Sequence, residues 1–525
     1  MKKSNKKFVA SLSSLALVLS ASTVISCSSK KTFFNYKSYF HPDYIDELSH
    51  QYDYKAFDSI NEFTQDIKLN KASAGIGSDM QATQLIKQNL LQKIDYLDIF
   101  WPENEEKPSW AKDKKLNEYI NSPEYRKYQE SLFTAQVNEH LKSYDNWLAT
   151  NVLETKDKKE VHLVDYFVPY FSQDMVVAYN PKKIKSKLNL DSLSDDLYQY
   201  DKLIIDEILQ QQKNTKTSQT QINKLDLISI LKGLRNKGYE RWALTNSVRD
   251  SMVYGSTFIE TSVNPLTGEK EYTSEHLSGE ASTENNKDLY KVWLNAYSNL
   301  IKTGIGHSFN SKNIYLSGDG LEIVNKLVDP NEAPQAAILY NGDAIDAYFA
   351  NDNDSRALDR NIRFLRPSGN LLLVDGLIIS AHEDQQTYQN IIRDARKYIY
   401  GGLQKNEQEH SWLNIDSEIV EKYAYYHNYD NVGYTSAYQC AFDYIKENYF
   451  NFDDEESKEI DDKTKAYEQY YAQNLYAIGS ESTIIDPLSK NNSLYEYKVH
   501  HVKMSPIEQI VETNVNTYWN ELISS

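Results

Sequence analysis

The amino-acid sequence predicts an α/β protein with two or more domains. The region from Leu244 to Leu377 alternates strand-like runs with helical ones, a pattern typical of layered α/β folds. A chain of 525 residues exceeds what one hydrophobic core usually supports. Cys27 and Cys440 are the two cysteines of the chain. Because Cys27 is predicted below to be lipidated, no internal disulfide is expected, and a large core must stabilise the fold.

The N-terminus has the pattern of a bacterial lipoprotein signal. Four early lysines precede an apolar stretch from Phe8 to Val24 that is too short and too weak for a comfortable membrane span. The stretch ends in Val-Ile-Ser-Cys, two aliphatic residues and a small one before Cys27, which is a lipobox. We predict that residues 1–26 are removed, that Cys27 is lipidated, and that residues 27–31 form a tether. The mature protein would then be lipid-anchored at the extracellular face of the cell membrane.

The charge of the chain argues against one class of partner. The net charge of −18 becomes −22 once a leader with four lysines and no acids is removed. Nucleic acid is therefore not an expected partner, because phosphate backbones require basic surfaces. The acidity is compatible with a cationic ligand.

Local patterns predict individual elements along the chain. Residues 32–39 form an aromatic strand-like run, followed by an amphipathic helix after His41-Pro42. Residues 74–95 have the order strand, glycine turn and helix. The pair Ser122-Pro123 predicts an N-cap and a first helical residue. Residues 162–179 alternate as a strand does.

Three charged or polar stretches are predicted to be insertions. Residues 103–159 are highly charged and predict a helical subdomain. Residues 404–430 and 453–490 are polar, acidic and tyrosine-rich, which predicts surface insertions.

Several segments, in one order, resemble the spermidine/putrescine-binding proteins of polyamine ABC importers. The five principal segments are Phe33 to Tyr39 (FFNYKSY), Gly75 to Asp95, Val168 to Asn180 (VPYFSQDMVVAYN), Ala243 to Asp250 (ALTNSVRD) and Leu339 to Leu377. A weaker sixth match is Val432 to Ala437 (VGYTSA), similar to the family's Gly-Tyr-Thr-Pro loop. The shared order of the segments carries the resemblance, since each string alone is weak.

The resemblance implies a two-lobed periplasmic-binding-protein-like fold with a ligand cleft between the lobes. Transferred to this chain, it places lobe 1 in residues 32–165 with the insertion 103–159, and lobe 2 in residues 166–375. Residues 376–490 would return to lobe 1 with the acidic, tyrosine-rich insertions, and residues 491–525 would pack on lobe 2. The implied function is an extracellular substrate-binding lipoprotein that captures polyamines for an ABC permease in the membrane.

The chemistry of a polyamine demands carboxylates for its ammonium groups and aromatic faces along its methylene chain. The resemblance assigns these roles residue by residue. Aromatic walls would come from Tyr36, Tyr39 and Tyr340, and a ligand contact from Ser78. Asp250 matches a carboxylate position, and Asp375, which lies in an otherwise aliphatic strand, matches the residue that grips an amino group.

The sequence also departs from the family pattern. Met80 and Leu373 stand where the family has aromatic residues, and Ser247 stands where it has a second Asp. Lys37 lies beside the aromatic wall, where its charge would repel a dication unless it points to solvent. Asp79 and Asp174 are candidates to compensate for Ser247.

Other functions stay open at the level of sequence. The first alternative is a solute-binding lipoprotein for a sugar, thiamine or an anion, for which Lys37 and Arg249 would be favourable. The second is a surface adhesin or antigen, suggested by the tyrosine-rich insertions. We predict no enzyme, no cofactor and no metal site, since the sequence has no HExxH, GxSxG, P-loop or paired Cys/His spacing.

Overall fold

The structure is a computed structural model that describes most of the chain. The described residues are 30–57, 60–151, 161–184, 198–215, 225–263, 270–273, 276–283, 285–350, 360–405, 411–450, 462–485 and 494–525. The signal peptide and the predicted lipidation site Cys27 lie outside these residues.

The strands and helices alternate along the described chain. The strands are β1 (Thr32–Tyr36), β2 (Asp53–Phe57), β3 (Ala74–Ser78), β4 (Val168–Gln173), β5 (Met175–Tyr179), β6 (Trp242–Thr245), β7 (Ile259–Val263), β8 (Lys270–Thr273), β9 (Ile314–Ser317), β10 (Ala336–Tyr340), β11 (Arg363–Leu365), β12 (Gly369–Leu371), β13 (Leu373–Ile379), β14 (Thr435–Ser436), β15 (Glu481–Ile485), β16 (Leu494–Lys498) and β17 (His500–Val502). The helices are α1 (Pro42–Gln51), α2 (Ile60–Lys68), α3 (Asp79–Lys87), α4 (Tyr96–Phe100), α5 (Leu116–Tyr119), α6 (Pro123–Leu132), α7 (Ala135–Asn151), α8 (Tyr198–Thr215), α9 (Leu227–Asn236), α10 (Val248–Ser256), α11 (Leu289–Gly304), α12 (Gly320–Val328), α13 (Asn341–Tyr348), α14 (Gln385–Tyr398), α15 (Ser417–Val420), α16 (Ala424–Val432), α17 (Gln439–Asn448), α18 (Asp462–Tyr476) and α19 (Gln509–Ser524).

Two mixed sheets form the centres of two lobes. Sheet 1 has the strand order β14-β4-β13-β3-β1-β2, and sheet 2 has the order β11-β5-β10-β6-β9. In sheet 1 the strands β2, β1 and β3 are parallel, and in sheet 2 the strands β10, β6 and β9 are parallel. The remaining pairs within both sheets are antiparallel. The predicted α/β fold with two lobes is confirmed.

The helix start predicted at Ser122-Pro123 is confirmed by a capping contact. Helix α6 begins at Pro123, and the Ser122 side chain accepts a hydrogen bond from the backbone N–H of Tyr125 at 3.2 Å. Ser78 ends β3 and caps α3 in the same way, through the backbone N–H of Gln81. These contacts satisfy N–H groups that have no partner inside the helix, and they fix where each helix starts.

The chain passes between the sheets near a buried polar cluster. Asp174 separates β4 in sheet 1 from β5 in sheet 2. Its Oδ2 accepts hydrogen bonds from Arg366 Nε at 2.8 Å and from Asn370 Nδ2 at 3.4 Å, and it lies 3.0 Å from His501 Nε2. Because β17 pairs with β12, the C-terminal segment lies against this crossover. Residues 166–375 are the predicted lobe 2. This range includes β4 and the start of β13, but both strands pair within sheet 1, the sheet of lobe 1.

Apolar side chains cover both faces of sheet 2. Met175, Val177 and Tyr179 on β5 pack with helices α9, α10 and α11, whereas Val176 and Ala178 belong to a cluster that continues into lobe 1. This alternation follows from the two-residue period of a strand. Helix α19 packs on α10 and α11.

The described part of residues 404–430, predicted as a surface insertion, has exposed side chains but also contributes to the core. Trp412, Val420, Tyr425 and Tyr429 are all completely buried in the lobe 1 core. The described part of the segment 103–159 is helical, with α5, α6 and α7, and its Tyr125 and Tyr144 are also completely buried. Tyrosine rings supply apolar area here although the segments are polar on average.

In the described part of the chain, no helix has the length and apolar character that crossing a bilayer would require.

Candidate ligand-binding site

The candidate site forms where the carboxyl ends of parallel strands from both sheets approach the junction of the lobes. Tyr36 ends β1 and Ser78 ends β3 in sheet 1, and Tyr340 ends β10 in sheet 2. Strand β6 leads into α10, which carries Asp250 in its first turn. Ligands of open α/β sheets bind at such strand ends, because the loops and helix starts that follow them converge there.

Asp375 is the centre of the lobe 1 wall. It lies on β13 directly opposite Ser78 on β3 and is 7 % exposed. Its Oδ2 accepts hydrogen bonds from the Tyr39 hydroxyl at 2.8 Å and from Gln173 Nε2 at 3.1 Å. The rings of Tyr36 and Tyr39 meet edge to face with centroids 5.2 Å apart. Two neutral donors therefore hold this carboxylate, Tyr39, which the sequence placed beside it, and Gln173, which it did not.

Asp250 occupies the equivalent position in the lobe 2 wall. It is buried, and its Oδ2 accepts a hydrogen bond from the Tyr340 hydroxyl at 2.7 Å. On each lobe, the structure thus pairs one predicted carboxylate with one predicted tyrosine: Asp375 with Tyr39 on lobe 1 and Asp250 with Tyr340 on lobe 2.

A third carboxylate–tyrosine pair was missed by the sequence-based assignment. The Tyr434 hydroxyl donates to Asp343 Oδ1 at 3.0 Å, and the Tyr434 ring lies 5.4 Å from the Tyr39 ring. Asp343 is 8 % exposed on α13. Asp343 lies in the segment 339–377 and Tyr434 in the segment 432–437. Both segments carry the family resemblance, so the sequence contained a signal for this pair. Gln173, at the end of β4, was missed as well.

Burial raises the pKa of all three carboxyl groups. Desolvation is the largest cause for Asp375, whose pKa rises to about 7 although hydrogen bonds from Tyr39 and Tyr36 act in the opposite direction. Desolvation also raises the pKa of Asp343 to about 7, with further contributions from Asp346 and Asp319. The pKa of Asp250 is raised by burial, and the hydrogen bond from Tyr340 opposes the shift.

Arg249 is the basic side chain that acts on this group of acids. Its charge lowers the pKa of both Asp375 and Asp250, and its Nη1 lies 3.8 Å from Met80 Sδ on the other lobe. Within the residues that the structure describes, none of the three carboxylates has a basic side chain at ion-pair distance. The site therefore holds buried negative charge that no side-chain cation neutralises by direct contact.

The other acids considered from sequence have partners outside the three carboxylate–tyrosine pairs. Asp79 Oδ2 lies 2.5 Å from His140 Nε2 of α7 and accepts the backbone N–H of Val374 at 3.1 Å. Asp174 is bound at the crossover between the sheets, and Lys37 is exposed in the turn after β1. Through Val374, Asp79 supports the backbone next to Asp375.

In the described ranges, no group of three or more His, Cys, Asp or Glu side chains is arranged to hold a metal ion.

Gly342 is expected to be required for the third pair. A methyl group added at Gly342 would overlap the Tyr434 ring, so Gly342→Ala should displace the ring from Asp343. We expect a loss of about 1–3 kcal/mol in the free energy of unfolding, as for other overpacked sites. The matched control is Gly318→Ala, where the nearest atom would lie 4.0 Å away and no loss is expected. Urea unfolding of both variants measures the difference, and equal stabilities would contradict this packing.

A model of one protein family matches residues 1–517 of the chain, and its description is hypothetical lipoprotein (MG045 family). The chain belongs to this lipoprotein family. The match includes the predicted signal peptide and nearly all of the described residues. No curated protein matches this lipoprotein.

Solved structures of ABC substrate-binding proteins resemble this lipoprotein at low sequence identity. PotD of Streptococcus pneumoniae, a spermidine/putrescine ABC transporter substrate-binding protein, is 13% identical, with coverage of 94% of this chain and 100% of that chain and a TM-score of 0.42. The lipoprotein Tp0655 (TpPotD) of Treponema pallidum is 12% identical, with coverage of 79% and 88% and a TM-score of 0.41. A substrate-binding protein of Listeria monocytogenes in complex with cycloalternan is 12% identical, with coverage of 94% and 93% and a TM-score of 0.41.

Proposed function

We propose that this lipoprotein captures a small polycationic solute of the polyamine class between its lobes and delivers it to an ABC permease. One observation carries the proposal: three buried carboxylates, each hydrogen-bonded by a tyrosine hydroxyl, lie at one junction without a side-chain cation in direct contact. These carboxylates belong to Asp375, Asp250 and Asp343.

The energetic reason is the cost of burying charge. A buried carboxylate without a counter-charge is strongly disfavoured, and the raised pKa values of Asp375 and Asp343 express this cost. Ligand ammonium groups would supply the missing positive charge. The faces of Tyr36 and Tyr39 would contact the methylenes between the ammonium groups and attract the cation.

The charges at the junction favour a ligand with more than one ammonium group. Three carboxyl groups lie there, and Arg249 is the basic side chain whose charge acts on two of them, Asp375 and Asp250. We expect putrescine and spermidine both to bind.

The distribution of the acids over both lobes supports a capture mechanism. Asp375 belongs to lobe 1, whereas Asp250 and Asp343 belong to lobe 2. A ligand with an ammonium group at each end would contact both lobes and so favour the closed arrangement over an open one. Such a site supports binding and release of the ligand without its chemical conversion.

A binding panel tests the proposal. The mature chain from residue 28 should bind putrescine or spermidine with a stoichiometry of one in isothermal titration calorimetry, and the ligand should be recovered unchanged. Sugars, thiamine and phosphate serve as competitors for the alternatives left open by the sequence. Saturable binding of phosphate or a neutral sugar at this junction, with no binding of either amine, would overturn the proposal.

The lipid anchor at Cys27 is part of the proposed function and has its own test. We expect Cys27→Ala to abolish incorporation of labelled fatty acid and to release the protein from the membrane fraction or leave it uncleaved. The variant Cys440→Ala is the matched control and should behave as the wild-type chain does. Unchanged mass and membrane partition of Cys27→Ala would contradict a lipid anchor at this residue.

A further inference from the structure

The amino-terminal edge of sheet 1 lies close to the proposed lipid anchor. Lys30 is the first described residue, and three residue steps separate it from Cys27. An extended chain covers at most about 3.6 Å per residue, so these steps span no more than about 11 Å. The lipid proposed at Cys27, on which the surface described here depends, would hold Lys30 within that distance of the bilayer.

Three strands of sheet 1 begin at this edge and one ends there. β1, β2 and β3 are parallel, and β13, which is antiparallel to β3, ends at Ile379. The backbone N–H groups of Asp53 and Ser73 donate to the carbonyls of Lys31 and Thr32, both at 2.9 Å. The segments that meet around Lys31 form the tether edge, residues 30–31, 49–53, 68–73 and 380–384.

An exposed leucine among lysines is the main feature of the tether edge. Leu69 is 59 % exposed in the turn between α2 and β3, with half-buried Lys68 before it and exposed Lys71 after it. Lys30 is exposed as well, and its Nζ donates to the Ser49 carbonyl at 2.9 Å. Within the part of the chain that the structure describes, no carboxylate lies at ion-pair distance from these three lysines.

The acids of the tether edge are engaged by other groups. Glu383 Oε2 lies 2.7 Å from Lys31 Nζ, and Asp53 Oδ2 lies 3.7 Å from Lys55 Nζ. Asp384 is the N-cap of α14 and accepts a hydrogen bond from the backbone of its first turn. The other ionisable side chains near the edge are Asp46, His50, Asp66 and His382. The lysines around the exposed leucine thus keep positive charge that no ion pair neutralises, although the mature chain carries a net charge of −22.

The headgroups of an anionic bilayer fit this combination of side chains. Lysines near a membrane surface attract anionic lipids, and an exposed apolar side chain gains by entering the boundary between headgroups and acyl chains. We infer that the tether edge is a membrane-docking surface, on which lobe 1 rests against anionic lipid through Leu69 and its three lysines. A strand rises about 3.3 Å per residue, so Tyr36 lies roughly 13 Å from Thr32 along β1 and the candidate ligand site stays clear of the lipid.

Fluorescence quenching in vesicles tests this surface with the lipidated mature chain. Leu69→Cys in a Cys440→Ala background is labelled with bimane, and the vesicles contain phosphatidylcholine, phosphatidylglycerol and a lipid with a nitroxide on its headgroup. The matched control is Val292→Cys, at an apolar residue of α11 in lobe 2 that is 43 % exposed. We expect strong quenching of the label at position 69 and little at position 292.

Charge variants separate docking from mere closeness to the anchor. The double variant Lys30→Gln/Lys71→Gln should lower the equilibrium constant for docking about 5-fold for each lysine removed, and so reduce the quenching at position 69. Lys302→Gln/Lys312→Gln, at two exposed lysines of lobe 2, removes the same charge elsewhere and should leave the quenching unchanged.

Mass and flotation of the chain with the vesicles report on the anchor separately. A chain that carries no lipid and does not float overturns the anchor, and the docking surface with it. A chain that floats, but shows equal quenching at both labelled positions or no response to Lys30→Gln/Lys71→Gln, overturns the docking surface alone. Amine binding is measured apart from both results, so the proposed ligand does not depend on them.

Discussion

Replacement of Arg366 by methionine is expected to lower the free energy of unfolding by about 3–5 kcal/mol, the usual cost of removing one partner of a buried ion pair. The Arg366 side chain is 1 % exposed and that of Asp174 is fully buried. Arg366 also donates to the backbone carbonyls of Asn474 and Leu475 at 2.8 and 2.9 Å. The variant would leave Asp174 charged and buried at the point where the chain passes between the sheets.

The control is Lys112→Met. The Lys112 side chain is 50 % exposed and pairs at 2.7 Å with Glu106, whose side chain is 82 % exposed. Exposed ion pairs contribute about 0–1 kcal/mol because water screens them. Urea unfolding followed by circular dichroism compares both variants with the wild-type chain. Similar losses in the two variants would show that the Asp174–Arg366 pair has no special role at the crossover.

The second large effect is expected in ligand affinity. Asp375→Asn keeps the shape of the side chain and removes its charge, so the ammonium group of a bound amine would lose its closest counter-charge. Truncation of one side of a buried charged pair costs about 2–5 kcal/mol, or roughly 30- to several-thousand-fold in affinity. Calorimetry with putrescine and spermidine measures the loss.

The stability of the Asp375→Asn variant separates a binding effect from a folding effect. Folding raises the pKa of Asp375 to about 7, so its ionisation destabilises the ligand-free protein as the pH rises from about 4 to 7. The variant removes this cost, and at pH 8 we expect it to be at least as stable as the wild-type chain. Asp43→Asn, at a carboxylate that is 82 % exposed, is the control for affinity. If the Asp375→Asn variant binds both amines with wild-type affinity, Asp375 is not part of the ligand-binding site.

The sequence was sufficient to predict the α/β class, the two lobes and several element boundaries. The cap at Ser122 is a local signal, because its hydrogen bond joins residues three positions apart. Ser78, predicted as a ligand contact, caps α3 in the same way. The single strand-like run predicted over residues 162–179 corresponds to a short helical turn, Leu163–Asp165, and to two strands, β4 and β5, which belong to different sheets.

The contacts between residues far apart in the chain could not be predicted from the sequence. Asp343 and Tyr434 are 91 residues apart, and Asp79 and His140 are 61 residues apart. Neither pair has a spacing that a helix or strand imposes. Asp79 and Asp174 seemed interchangeable as candidates until the structure placed one beside His140 and the other beside Arg366.

Average polarity was misleading in the tyrosine-rich segments. Residues 411–430 are polar in sequence, yet Trp412, Tyr425 and Tyr429 are fully buried. The Tyr425 hydroxyl donates to the Tyr170 carbonyl at 2.7 Å, while its ring packs in the core. A prediction from hydropathy alone does not separate such a ring from an exposed one.

The most direct test of the proposed cation site is the number of protons released when putrescine binds at pH 7. Asp375 and Asp343 both have a pKa of about 7, so each is about half protonated before binding. A cation binds the ionised carboxylates and lowers their pKa values, which should release about one proton in total and make the affinity rise with pH up to neutrality. Calorimetry in two buffers of different ionisation enthalpy measures this number. A value near one supports a cation site at this junction, and proton uptake or no exchange at all would contradict it.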